Sequence, residues 1–299
     1  MSILKMKSHL LLAWHYAKNI FSHSLIVDRR SGYDLAITSH SDRVFRVFSA
    51  IESACSGSSK PRRAILFLSK EDFPKKLPAS LERLRLRGLE IIVCENLRPH
   101  KKQQPYLKLN STFDRPLITI DDDVFYDKNL TGSLFKAWQE SPERIFCSRA
   151  RVPRIRDGAL LSYTTWPLCQ HNEPTLWIFA TGVGGVLYPP KFLQILRNAG
   201  DEFKSKCPTA DDVWINFLAA EHRILIQQIS KKSSSFPDIP GSRRTALFRI
   251  NIHNGGNDVQ ISNTYSDQAI GFIEASHQPI CYERKAPSKP TIFQLRRSN

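Results

Sequence analysis

Two acidic clusters hold most of the chemistry this sequence could perform. The first, Asp121, Asp122 and Asp123, ends the apolar run in "PLITIDDDVFYDKNL". Adjacent carboxylates repel one another, so three in a row after a buried strand suggest that a cation sits there. If the strand continues through them, alternate side chains share a face. Asp121 and Asp123 would then aim oxygens at one point, with Asp122 opposite. Carboxylates together with phosphate oxygens suit a hard divalent cation, Mg²⁺ or Mn²⁺. A hydrated acidic turn is the structural alternative. The second cluster, Asp211 and Asp212, opens the helical pattern "TADDVWINFLAAEH". The helix dipole favours acids there, and Asp212 three residues after Thr209 also reads as a capping box.

The elements that must position these clusters alternate along the chain. "YDLAITS" reads as a strand, and Ser41 is expected to cap a helix whose Val44, Phe48, Ile51 and Cys55 share one face. "AILFLS" is a second strand. A helix from Pro78 to Arg87 is closed by Gly88 and followed by the strand "LEIIVCE", the basic loop "RPHKKQQ" and the strand "PLITI". Beyond the aspartates, Leu130, Leu134 and Trp138 mark a helix and "RIFCSRAR" a strand. "LWIFATGVGGVLYPP" is a strand pair or strand and turn, "KFLQILRNAG" a helix and "ILIQQI" a strand. This alternation predicts an α/β fold with a mostly parallel central sheet and helices on both faces, with ligands beyond the carboxyl ends of the strands. "SKKSSSFPDIPGSRR" reads as a flexible loop that could order over a ligand.

Composition narrows the function classes. The chain has 299 residues, 43 basic against 28 acidic, for a formal charge of +15. Such a surface attracts polyanions: phosphates, nucleic acid or anionic lipid. The six cysteines include no CxxC pair, which suggests neither a zinc site nor a dense disulfide framework and fits a reducing compartment. "MKSHLLLAWHYAKNIF" is too short an apolar run to span a membrane and has no cleavage site. Its Leu10, Trp14, Ala17 and Phe21 recur at helical spacing, which fits either a helix packed on its own domain or a basic helix lying on a membrane surface. The basic C-terminal "RKAPSKPTIFQLRRSN" reads as a solvated tail. The expected division is an N-terminal helical appendage (1–30), a catalytic domain (31–270) and a basic tail (271–299).

Taken in order, "TSHSDRVFRVFSAIES", "ITIDDDVFY", "LFKAWQESPERIFCSRARVPR", "TGVGGVLYPP" and "TADDVWINFLAAEH" resemble the GT-A glycosyltransferases. Most similar are the exostosin catalytic domain (glycosyltransferase family 64) and bacterial polysaccharide glycosyltransferases of similar layout. The resemblance spans roughly residues 33–225, and its specificity lies in the ordered set. It implies metal-dependent sugar transfer from a nucleoside diphosphate donor, with UDP expected, and weakly implies retention at the anomeric carbon. By the same match, Asp121–Asp123 form the DxD-type motif. Asp123 would hold the metal with Asp121, and Asp121 and Asp122 would also face the ribose and nucleotide. Asp212, with its neighbour Asp211, would lie near the reacting sugar carbon, and Arg43 would contact the nucleotide. A late histidine completes the metal site in several enzymes of this fold, which nominates His253.

Charge development in the reaction agrees with these assignments. The leaving diphosphate gains negative charge that Lys or Arg can neutralise, and the sugar gains positive charge that a carboxylate can. Lys101, Lys102, Arg243 and Arg244 are candidates for the phosphate. Tyr163, Trp166 and Trp177 could stack on acceptor sugars, or pack in the core. The expected acceptor is a cell-surface polysaccharide or lipid-linked glycan. The chain shows no luminal anchor, so the expected setting is bacterial and cytoplasmic, peripheral on the inner face of the membrane. A nucleotidyl- or sugar-phosphate transferase could use the same acidic site. A P-loop kinase lacks its motif here. A nucleic-acid module is disfavoured, because the basic residues are dispersed and five clustered aspartates would serve no purpose in it.

Overall fold

The computed structural model describes residues 3–242 and 255–276. The β-branched and aliphatic runs form the strands β1 (Asp34–Thr38), β2 (Arg63–Ser69), β3 (Leu89–Cys94) and β4 (Leu117–Ile120). Helices α1 (Ile3–Phe21), α2 (Val47–Ala54), α3 (Ala79–Leu86) and α4 (Gln104–Leu109) precede or connect them. The second half supplies α5 (Leu130–Glu140), β5 (Ile145–Cys147), β6 (Ala150–Arg151), β7 (Ile155–Arg156), β8 (Ala159–Leu160), β9 (Phe179–Ala180) and β10 (Val186–Tyr188). Then follow α6 (Pro190–Asn198), α7 (Phe203–Lys206), α8 (Asp211–Glu221), β11 (Ile226–Gln228), α9 (Gly256–Thr264) and α10 (Asp267–Ala275).

Seven strands form one sheet in the order β11-β5-β10-β4-β1-β2-β3. All run one way except β10, which pairs antiparallel with both β4 and β5. Strands buried on both faces read as continuous apolar runs, because each alternate residue meets its own helical layer. Leu35, Ile37, Leu66, Ile118 and Ile120 pack with α2 in one core, whereas Ala36, Ile65, Phe67 and Leu117 pack with α6 and α8 in the other. The chain order reverses between β1 and β4, and the crevice beyond their carboxyl ends is where this architecture places ligands.

Several local expectations are corrected. Ser41 does not cap a helix. It has φ +48, its N–H donates to Asp72 Oδ1 at 3.0 Å, and a 3₁₀ turn (Ser41–Phe45) leads into α2. Thr209 is not the cap of α8 either. Ala210 holds that position, and the Thr209 N–H donates to Gln260 Oε1 at 2.8 Å. The basic loop is a 3₁₀ turn (Arg98–Lys102) that buries both Lys101 and Lys102. The described part of the serine-rich loop is tied down: Phe125 N–H donates to Pro237 O, and Ile239 N–H to Asp123 O.

Helix α1 docks through polar side chains. Glu52 on α2, fully buried, accepts from Asn19 Nδ2 at 3.2 Å, lies 3.5 Å from Lys18 and pairs with Arg87 at the end of α3. His15 stacks on Phe125 at 5.4 Å, two residues past the acidic run. With that face inward, Leu10, Trp14 and Phe21 are left 65%, 66% and 77% exposed. Among the described residues no helix is long and apolar enough to cross a membrane.

Candidate active site

Strand β4 stops at Ile120, so the three aspartates leave the sheet and the expected strand alternation does not apply to them. Asp122 and Asp123 turn together toward Arg43, whose Nη1 and Nη2 donate to them at 2.7 and 2.8 Å. Asp122 also accepts from Ser39 Oγ at 2.6 Å, at the carboxyl end of β1. Asp121 turns the other way and accepts from Lys102 Nζ at 2.7 Å. All three still line one cavity of about 820 Å³, together with Asp211 and Asp212.

Lys102 joins the clusters, because its Nζ lies 2.7 Å from Asp121 and 2.9 Å from Asp211. Burial alone would lower its pKa, but Asp121 and Asp211 together hold it well above the usual lysine value. Asp211 is buried too, which favours its neutral form, yet Lys102 and a 3.0 Å hydrogen bond from Gln103 Nε2 keep its carboxyl below the ordinary range. Asp212 has no such cation. Burial, with Asp211 beside it, pushes its carboxyl up to about 8, close to the pH where a group can serve as acid or base.

Asp212 Oδ1 accepts from the Gly182 N–H at 2.9 Å, so the acid engages the glycine turn instead of capping its own helix. A Cβ on Gly182 would meet Asp212 Oδ1 and Lys102 Nζ, each at 3.0 Å. The "TGVGG" glycines thus let backbone pack beside the charged cluster. Gly184 does the same for Arg149, whose backbone N would lie 2.8 Å from an added Cβ.

Asp123 bears on metal binding. Its Oδ1 is buried and accepts no hydrogen bond in the described structure. Burial and its acidic neighbours push the carboxyl up to about 7 despite Arg43. An orphaned, buried hard oxygen beside two other carboxylates fits a divalent cation. Among the described residues, however, no three His, Cys, Asp or Glu side chains converge closely enough to hold a metal by themselves. His253, Arg243 and Arg244 lie outside the described residues.

Of the aromatic candidates, Tyr163 lines the cavity, whereas Trp166 is buried against Phe179 and Trp177 packs at the core edge. Lys101 pairs with Asp72 at 2.7 Å, at the cavity rim. Sequence reasoning passed over Ser39, Asp72, Gln103, Arg149 and Arg151. For the last two a signal existed, since Arg-Ala-Arg in an extended segment puts both guanidiniums on one side.

No protein-family model and no curated protein matches the chain. Solved structures do share its fold. Mannosyltransferase PcManGT from Pyrobaculum calidifontis, solved in complex with GDP-Man and Mn²⁺, aligns at TM-score 0.51 and 11% identity over 91% of this chain and 80% of its own. Looser likenesses are CMP:2-keto-3-deoxy-manno-octonic acid synthetase complexed with CTP (TM-score 0.41, 11% identity, 66% and 89% coverage) and the inositol-1-phosphate CTP transferase of T. maritima (0.44, 8%, 79% and 98%). The chain therefore has a GT-A-like α/β fold. The family 64 resemblance rests on the motifs alone.

The Lys102 bridge makes a testable demand. Lys102→Met leaves Asp211 buried without its cation, which should cost about 3–5 kcal/mol at pH 8. Burial then raises the folded pKa of Asp211 above the unfolded value, so the loss grows as pH rises and shrinks toward pH 5. Urea denaturation at both pH values checks this, and an equal small loss at each would show that the bridge does not hold the clusters together.

Proposed function

We propose that this protein is a metal-assisted glycosyltransferase. It moves a sugar from a nucleoside diphosphate sugar, UDP by the motif resemblance, to a hydroxyl of a cell-surface polysaccharide or lipid-linked glycan. The observation that supports this most is the meeting of both acidic clusters at Gly182 in one cavity, with Asp123 Oδ1 left free of hydrogen bonds. The fold shared with a mannosyltransferase is consistent with it.

In this reading Arg43 and Ser39 orient Asp122 and Asp123 at the nucleotide end, and Asp121 faces the ribose. Asp123, with Asp121, would hold the cation, whose remaining ligands would have to come from outside the chain. When bound, Mn²⁺ or Mg²⁺ supplies positive charge beside the departing diphosphate. Lys102 bridges Asp121 and Asp211 and adds its own charge on the leaving-group side. The bond from the anomeric carbon to the β-phosphate oxygen breaks with its electrons passing to the diphosphate. The acceptor oxygen bonds to the same carbon, and its proton leaves to the released phosphate or solvent. Asp212 stands beside that carbon and offsets the positive charge that develops there.

Two substitutions separate the roles. Asp123→Asn should remove the divalent-cation dependence of UDP binding and most of the affinity, as read by calorimetry with and without Mn²⁺. Tight, metal-independent UDP binding by the unaltered protein would refute the assignment. Asp212→Asn should leave UDP affinity nearly intact while lowering transfer by at least ~100-fold, since a group needed mainly in the transition state acts on rate. Near-normal turnover would withdraw Asp212. Release of UMP in place of UDP would point to sugar-phosphate transfer.

We also propose a location, on the strength of α1. Its polar face is pinned to Glu52, so the Leu10, Trp14 and Phe21 stripe cannot roll inward, and it stands beside exposed Lys5 and Lys7 on a chain of charge +15. An apolar face flanked by lysines matches an anionic bilayer surface, to which each cation contributes about 1 kcal/mol. Trp14→Ser with Phe21→Ser should abolish sedimentation with phosphatidylglycerol vesicles at low salt without lowering thermal stability. Unchanged sedimentation would exclude α1 as the contact.

A further inference from the structure

One wall of the cavity carries charge that nothing in the described structure neutralises. Arg149 and Arg151 both line it. Arg149 Nη1 donates to Ser234 O at 3.0 Å, and Arg151 Nη1 to Trp166 O at 2.5 Å with its Cζ 5.0 Å from the Tyr163 ring centroid. These are bonds to neutral oxygens. Among the described residues no carboxylate lies within ion-pair distance of either, whereas Arg43, Lys101 and Lys102 in the same cavity are all paired. Beyond the described residues the sequence holds one further acidic side chain, Glu283. Each guanidinium has five N–H donors in a planar fork, so most remain available to a ligand. Burial, and then the like charge of Arg151, lowers the pKa of Arg149, so the pair is held at a cost that a bound anion would relieve.

A chain of contacts orders the cavity. It runs from Arg43 through Asp122 and Asp123 at one end to the Asp121–Lys102–Asp211 bridge. Next to this stand Asp212 and Gly182. Thr181 follows, its N–H and Oγ1 both donating to Arg149 O, and Arg151 with Tyr163 closes the series. In this order of contacts the arginine pair comes after Asp212, which on the glycosyltransferase reading stands beside the reacting carbon.

We propose that Arg149 and Arg151 form the acceptor subsite and that the acceptor carries an oxyanion, a carboxylate or a phosphate, close to the hydroxyl that is glycosylated. This deepens the glycosyltransferase reading and rests on it for the word acceptor. The anion site itself stands on the geometry. A fork of N–H donors suits either oxyanion bidentately, and Tyr163 offers an aromatic face beside it.

The test titrates D-glucuronate, glycerol 3-phosphate and neutral methyl glucoside into protein saturated with UDP and Mn²⁺ at low salt. At least one anion should bind and the neutral sugar should not. Binding of glucuronate alone identifies a uronic-acid-type acceptor, and binding of glycerol 3-phosphate alone a phosphorylated one. Arg149→Gln and Arg151→Gln should each weaken the anion by about tenfold, the size of a lost charge-assisted hydrogen bond, and leave UDP affinity within about twofold. Arg151→Lys, which keeps the charge but not the fork, should fall between. If neither anion binds, or if UDP displaces the anion, the acceptor-subsite assignment is overturned. In the second case the arginines serve the donor diphosphate. Should UDP itself fail to bind, the glycosyltransferase reading falls. The same anion titrations on nucleotide-free protein, with and without the arginine substitutions, still decide whether the site exists.

Discussion

A single buried ammonium, that of Lys102, sits between carboxylates from two distant parts of the chain, and the arrangement of the cavity depends on it. Asp121 follows β4 and Asp211 begins α8, and both lie within 2.9 Å of the same Nζ. Removing two carboxylates and a cation from water is expensive unless each charge meets its opposite with good geometry. The bridge meets that condition, and Gln103 donates to the same Oδ2 of Asp211 that Lys102 approaches. Asp212 is held beside them by the Gly182 N–H with no ion pair of its own, so burial and the neighbouring Asp211 push its carboxyl up.

The sheet makes this meeting possible. Strand β10 runs against its neighbours, so the turn of Gly182–Gly184 that precedes it comes to the edge where β1 and β4 end. An all-parallel sheet would require a crossover there and would move the glycine turn elsewhere. The positive φ of Gly185 closes that turn against Leu130 of α5, tying the acidic wall to the apolar layer beneath it.

Much of this was legible in the sequence, for identifiable reasons. β1, β2 and β4 are buried on both faces, so their apolar runs announced them, and Asp121–Asp123 stood out because nothing in a core explains three acids after "LITI". Arg43 and Lys102 were recognisable as types but not as partners, since ion pairing between residues 19 positions apart, as for Lys102 and Asp121, or 79 apart, as for Arg43 and Asp122, leaves no local periodicity. Ser39, Asp72 and Gln103 carry no signal beyond their polarity. Thr209 and Ser41 misled because cap propensity is a local preference, and here their backbone N–H groups donate to the side-chain oxygens of Gln260 and Asp72. For α1, the apolar spacing gave the helix correctly but not which face would turn inward. Lys18 and Asn19, which meet the buried Glu52, and His15, which stacks on Phe125, set that face.

The way Arg43 occupies the acidic run constrains how any cation could enter. It engages both Asp122 and Asp123, and Ser39 takes the second oxygen of Asp122, which leaves Asp123 Oδ1 as the buried oxygen without a partner. A divalent cation needs about six oxygens, and one free carboxylate oxygen with Asp121 nearby falls far short of that number. Either Arg43 must yield an oxygen, exposing its own charge, or the missing ligands must arrive with the cation. A diphosphate would bring several oxygens at once together with negative charge that Arg43 could pair with. On the glycosyltransferase reading, the cation would therefore depend on oxygens that the nucleotide brings with it, because Arg43 and Ser39 already hold the other oxygens of Asp122 and Asp123.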